Sequence, residues 1–155
     1  MKPSAFCILP ILLSCWLAKA QDTDSVLSYN RLMAYDTVYF SRTDPLAFLD
    51  CLKVYPVPSF IVWRNHRGWV KADHIPRLVE LLDDRDTCAN VMSALSSYLE
   101  LKRSTVAQEA AFIIYGFRIG VYPPALNSSG FRWTKDEIIR WWHSYGIRHV
   151  KDKSE

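Results

Sequence analysis

Asp73-His74-Ile75-Pro76-Arg77-Leu78-Val79-Glu80-Leu81-Leu82-Asp83-Asp84, followed by Asp86-Thr87 and the apolar residues Val91, Leu95, Tyr98 and Leu99, is the stretch whose reading decides the fold. In its first half, Ile75, Leu78, Val79, Leu81 and Leu82 recur at helical spacing behind Asp73, an N-cap residue type, and the acidic pair ends the run. Asp86 or Thr87 then reads as a restart, with Val91, Leu95, Tyr98 and Leu99 as the apolar face of the next helix. Two adjoining helices here predict a mainly helical protein.

The flanks extend that reading. Upstream, loosely spaced apolar residues between Asp22 and Phe40 predict one helix. Asp44-Pro45 predicts a sharper start, an acceptor at the N-cap before a first-turn proline, for a helix carrying Leu46, Leu49 and Leu52 until Pro56 and Pro58 stop it. Pro58 to Lys71 is the least helical part: Phe60-Ile61-Val62-Trp63 is β-prone and Asn65-His66-Arg67-Gly68 is turn-rich, which reads as a small hairpin near 60–70 or an ordered loop. Downstream, Thr105 with Gln108 and Thr134 with Glu137 resemble capping boxes. The first opens a helix ending at Gly120. The second opens one whose stripe Ile138, Trp141, Trp142 and Tyr145 closes at Gly146, before a charged tail over 148–155. The expected architecture is a small helical bundle or array of about five to six short helices, stapled by one disulfide.

The run from Ile75 to Asp84, with Val91, Ala94 and Leu95 after it, resembles a HEAT-type repeat, in which one helix turns at acidic residues into a second. Ala107 to Phe117 resembles the start of another unit. The resemblance covers residues 73–118 and includes no second complete repeat, whereas stacked repeats need about three units to bury a continuous core. It implies a helical scaffold for protein contacts with no chemistry of its own.

Composition places the chain among globular domains: 155 residues, 50% hydrophobic, 14% aromatic and 23% charged. The net charge of +3 includes Lys2 and Lys19; without the first twenty residues, 17 Lys+Arg face 16 Asp+Glu, and the electrostatic case for a nucleic-acid partner disappears. Those twenty residues read as a signal peptide. Lys2 is the basic start, Ala5 to Leu17 the apolar run, and Ala18-Lys19-Ala20 the cleavage pattern. A lipobox-like Leu12-Leu13-Ser14-Cys15 is the rival. Residues 21–155 then form one exported domain without a transmembrane segment, periplasmic by preference, extracellular otherwise.

Cleavage leaves Cys51 and Cys88, which in an oxidising compartment are expected to pair. Closing a loop of about 38 residues would contribute roughly 4 kcal/mol in the chain-entropy picture. Asn127-Ser128-Ser129 is a glycosylation sequon expected on an exposed loop.

Catalytic signatures are missing from the sequence. There is no nucleophile elbow, P-loop, dinucleotide fingerprint or metal-binding cluster, and His66, His74, His143 and His149 read as surface histidines. No cofactor or metal is implied. Glu109, among Ala107, Ala110, Ala111 and Phe112, is the unusual carboxylate, and it is the one candidate for a desolvated general acid of an envelope glycan hydrolase. Among the tryptophans, Trp63 and Trp69 flank a turn with Arg64, Arg67 and Lys71, and these five residues form the candidate binding surface. The expected function is an exported protein-binding module, an inhibitor or immunity-type factor in the bacterial envelope, rather than an enzyme. The alternatives are the hydrolase and a carrier of a small apolar ligand in a cavity between helices.

Overall fold

The structure is a computed structural model that describes residues 25–98 and 100–151. The expected signal peptide, residues 1–20, lies outside it. Helix α1 spans Ser25–Arg42 and α2 spans Pro45–Val54. The start of α2 is the one the dipeptide predicts: the Asp44 carboxylate accepts the amides of Leu46 (2.8 Å) and Ala47 (2.9 Å), and Pro45 occupies the first turn, where no amide is needed. One side of α2 buries Phe48, Leu49 and Leu52.

Beyond α2 the protein is a mixture of helix and strand, which corrects the expected helical bundle or array. Strands β1 (Ser59–Val62), β2 (His66–Arg67), β3 (Thr87–Cys88), β4 (Asn90–Ser93), β5 (Ser104–Thr105) and β6 (Val121–Tyr122) accompany helices α3 (Ile75–Glu80), α4 (Val106–Ile119) and α5 (Lys135–Lys151). The strands form three two-stranded sheets: β1 with β4 in parallel, β2 with β6 and β3 with β5 antiparallel.

The run from Ile75 to Asp83 is helical, as α3 followed by a 3-10 turn at Leu81–Asp83. The second helix expected after Asp86 is replaced by β3 and β4. The reason is non-local. Ala89 N–H donates to the Leu52 carbonyl (2.9 Å) and Asn90 N–H to the Pro58 carbonyl (2.8 Å), so amides that a helix would use internally serve the end of α2 and the entry to β1. The supposed helical stripe is also split: Val91 is fully buried, while Leu95 is 79% and Tyr98 59% exposed.

The expected 60–70 hairpin does not form either. β1 carries a short apolar run that needs a partner on its hydrogen-bonding edge, and β4 supplies it in register Ser59 with Asn90 through Val62 with Ser93, while β2 turns to β6. Phe60 and Val62 face the core; Ile61 and its partner Met92 lie on the opposite face.

Helix α4 is the central element. Thr105 caps it, its hydroxyl accepting the Gln108 amide (3.3 Å), and Gly120 ends it in the left-handed conformation at φ 78°. Val106, Ala110, Ile113 and Ile114 are fully buried on it. Helix α5 begins at the second box, where Glu137 Oε2 accepts both the amide (2.8 Å) and the hydroxyl (2.7 Å) of Thr134. It runs on through Gly146 to Lys151, past the expected stop. Ile138 is buried, and Trp141 and Trp142 pack on the core as the stripe predicts. No helix of the described residues is long and apolar enough to cross a membrane.

No disulfide joins Cys51 and Cys88, which corrects the expected staple. Both are buried thiols on α2 and β3, filling space as small apolar side chains do. Burial, reinforced by nearby Glu109, pushes the Cys88 thiol up to about 12.

Candidate binding groove

The face of the β1–β4 pair turned away from the core is partly roofed. Ser59 Oγ donates to the Glu100 carbonyl (2.6 Å) and Asn90 Nδ2 to the Lys102 carbonyl (2.8 Å), so the chain leaving β4 returns across this face. Between roof and sheet lies an open groove of about 160 Å³, with Ile61, Trp63 and Met92 on the strand side and Ser96, Ser97 and Tyr98 opposite. Around it stand large apolar side chains left in solvent: Ile61 at 40%, Tyr98 at 59% and Leu95 at 79% exposure. Leu126, 53% exposed, belongs to the segment whose carbonyl at that residue accepts the Ser93 amide (2.8 Å).

Two buried carboxyl groups hold the flanks of the groove. On the β1 side, Asp36 of α1 is 4% exposed and accepts the amides of Trp63 (3.3 Å) and Arg64 (3.0 Å). Its Oδ2 also lies 2.7 Å from His66 Nε2, and since the carboxylate can only accept, that nitrogen carries the hydrogen. The His66 ring stacks on Phe40 at 4.1 Å. Three donors on one acid fix the turn that aims Trp63 into the groove and Arg64 into solvent. His66 is thus half-buried and structural, where the sequence reading makes it a surface residue. The signal that would have found the pair is Asp36 itself, an acid four residues before buried Phe40 on one helix face.

On the β4 side the residue is Glu109. It is fully buried, with Ser128 Oγ donating to its Oε1 (2.6 Å) and the same hydroxyl accepting the Val91 amide (3.0 Å). Its Oε2 and the buried Ser104 hydroxyl make no full-geometry hydrogen bond. Burial raises the carboxyl from 4.5 to about 7, against smaller lowering by the Ser104 and Ser128 hydroxyls and the Val91 amide, which lie close to it. A general acid must reach its substrate, and this one is sealed beneath Ser128.

The five residues of the expected binding surface separate. Trp63 lines the groove, and Arg64, Arg67 and Lys71 are exposed. Trp69 belongs to the core: its ring centre lies 4.7 Å from Tyr122 and 4.8 Å from Phe40, and its Nε1 donates to the Thr43 carbonyl (2.7 Å). Asn127 is half-buried rather than on a free loop. It bridges to Met92, and its side-chain oxygen accepts from Ser129 Oγ and the Gly130 amide, both at 3.1 Å.

No family model, curated protein or solved structure matches this chain. At about 160 Å³ the groove is below the ~300–1,000 Å³ of small-molecule sites, and its open, apolar rim suits an anchoring side chain of a larger partner.

Proposed function

We propose that this protein is an exported protein-binding module, acting in the bacterial envelope as an inhibitor or immunity-type factor, that receives an apolar side chain of its partner in the groove between β1 and the roof after β4. The observation that carries the reading is exposed Ile61 and Tyr98 lining one depression, with exposed Leu95 between two of its lining residues, because single exposed apolar residues are ordinary and a rimmed cluster is not. Export rests on residues 1–20, where a basic start, an apolar run and Ala18-Lys19-Ala20 follow in order. The binding surface is thereby moved from the Trp63 to Lys71 turn to its groove-facing side, with Trp63 retained and Trp69 removed. The hydrolase reading loses support from the complete burial of Glu109, and the ligand-carrier reading from the small volume of the groove.

Cross-linked capture from the native envelope fraction tests it. The wild type and a Lys71→Ala control should bring down one stoichiometric protein, and Ile61→Asp and Tyr98→Ala should lose it at least tenfold while melting within a few degrees of wild type. Loss on Lys71→Ala with retention by the groove variants would place contact on the basic turn, and a solitary bait would remove the binding reading.

A further inference from the structure

Glu109 does more than fill space, because of what it holds. Residues 126–131 lie along the free edge of β4: Ser93 N–H donates to the Leu126 carbonyl and Ser128 N–H to the Val91 carbonyl (2.9 Å). Helix α4 grips the same segment with two adjacent side chains. Gln108 Nε2 donates to the carbonyls of Ser128 (2.9 Å) and Phe131 (2.8 Å), and Glu109 accepts from Ser128 Oγ. One of these latches is permanently neutral; the other can ionise.

The surroundings of Glu109 suit only its neutral form. No ion pair reaches it among the described residues. The titratable groups that share its electrostatic environment, the Cys88 thiol of β3 and the Tyr122 phenol of β6, are pushed up by burial and stay uncharged. Charges on the other packed elements are engaged elsewhere or face solvent. Lys53 of α2 pairs with Asp84, Asp83 with Lys135, and Arg103 beside β5 donates to the carbonyls of Leu52, Lys53 and Tyr55. Asp50 of α2, Arg77 and Glu80 of α3, and Asp136, Glu137 and Arg140 of α5 are exposed. A proton on Oε2 would give that orphaned oxygen a donor and the orphaned Ser104 hydroxyl something to accept.

We infer that Glu109 is a proton-operated clasp: neutral, it holds the 126–131 segment on β4 and α4, and ionised, it lets that segment lift from β4 beside the groove. Charging the carboxyl inside the protein leaves it fully buried with no cation, the Ser128 and Ser104 hydroxyls and the Val91 amide offsetting less than its burial costs, and displacing Ser128 is the direct way to bring it water. The clasp is independent of what the groove binds; its effect on partner affinity rests on the groove reading above.

Hydrogen exchange of the full chain, followed by mass spectrometry over peptides covering 121–131 and corrected for intrinsic rates, tests it between pH 5.5 and 8.5. Wild type should lose at least tenfold protection there as pH rises through neutrality, and Glu109→Gln, fixed in the neutral shape, should not. Gln108→Ala should lower protection equally at both ends, since its latch does not titrate. An equal pH slope in wild type and Glu109→Gln overturns the clasp. Should Glu109→Gln fail to fold, the carboxyl carbon of Glu109 followed by NMR in the wild type decides: titration near neutrality supports the clasp and titration in the ordinary carboxylate range ends it. Neither readout needs a partner, so the clasp can fail while the groove stands, and the groove can fail while the clasp stands.

Discussion

The two flanks of the groove are held by the same kind of group in opposite circumstances. Asp36 meets two backbone amides and a histidine N–H; Glu109, fully buried, has one hydrogen bond in good geometry, from the Ser128 hydroxyl, with the Ser104 hydroxyl, the Cys88 thiol and the Tyr122 phenol nearby. The turn over Trp63–Arg67 is therefore built around an acceptor with three donors. The 126–131 segment is built around a group that is comfortable only while it keeps its proton. A buried carboxyl fastens a loop in either case, but the donors it meets, set against the depth of its burial, decide how strongly its charged form is disfavoured.

The largest effect should come from removing the well-supplied acid. Asp36→Ala strands two amides and the His66 N–H, and at ~1–3 kcal/mol for each buried group left unsatisfied the loss should be about 4 kcal/mol by urea denaturation. A loss under about 1 kcal/mol would show that the turn finds other acceptors and that the contrast is false.

Next comes the pH dependence of Glu109. Its folded carboxyl titrates at about 7 rather than 4.5, so the unfolded chain releases the proton first. The contribution is complete below pH 4.5, declines as pH rises, and is spent by pH 8, a span of about 3 kcal/mol at 1.36 kcal/mol per pH unit. Stability measured at pH 4.5, 6 and 8 should fall in that order relative to Glu109→Gln. A flat difference would show that Glu109 keeps one protonation state over this range.

Ser128→Ala sharpens the comparison on a smaller scale. It takes the only donor from Glu109 Oε1 and an acceptor from the Val91 amide, for about 2 kcal/mol by the same denaturation measurement. The smallest effect belongs to the groove between the two flanks. Leu95→Ser and Tyr98→Ala should move stability by about 0.5 kcal/mol or less, because those side chains are mostly in solvent. A larger loss would mean that they pack as structure rather than wait for a partner.

The parts of this fold that sequence reveals are those governed by near neighbours. Asp44-Pro45, Thr105 with Gln108, and Thr134 with Glu137 announce α2, α4 and α5, because a cap and its amides lie within four residues. β4 announces nothing of the kind. Its strand state depends on the carbonyls of Leu52 and Pro58, more than thirty residues upstream, and on a parallel partner. Val91, Leu95 and Tyr98 meanwhile imitate a helical stripe, although only Val91 faces inward. The groove follows the same division. Trp63 stands out in the sequence for its basic, aromatic turn and lines the groove, whereas Met92 and Tyr98 join it, and Asp36 and His66 brace its turn, through contacts that no local pattern encodes. Glu109 stood out as a carboxyl in an apolar helix; its occupation with Ser128 became visible only when a loop nineteen positions away came to rest on it.

The parallel pairing of β1 with β4 also bears on the order in which the molecule assembles. Ser59 and Asn90 are 31 positions apart, and no tight turn can join two parallel strands, so the pair has to await closure of the long connection through α3. Contacts of that separation form slowly beside the local helices, so the sheet is predicted to form late in folding. The groove does not exist until the sheet does. A partner that reads Ile61 and Met92 side by side would thus distinguish finished molecules from those still folding, and its binding would act as an inspection of the completed chain.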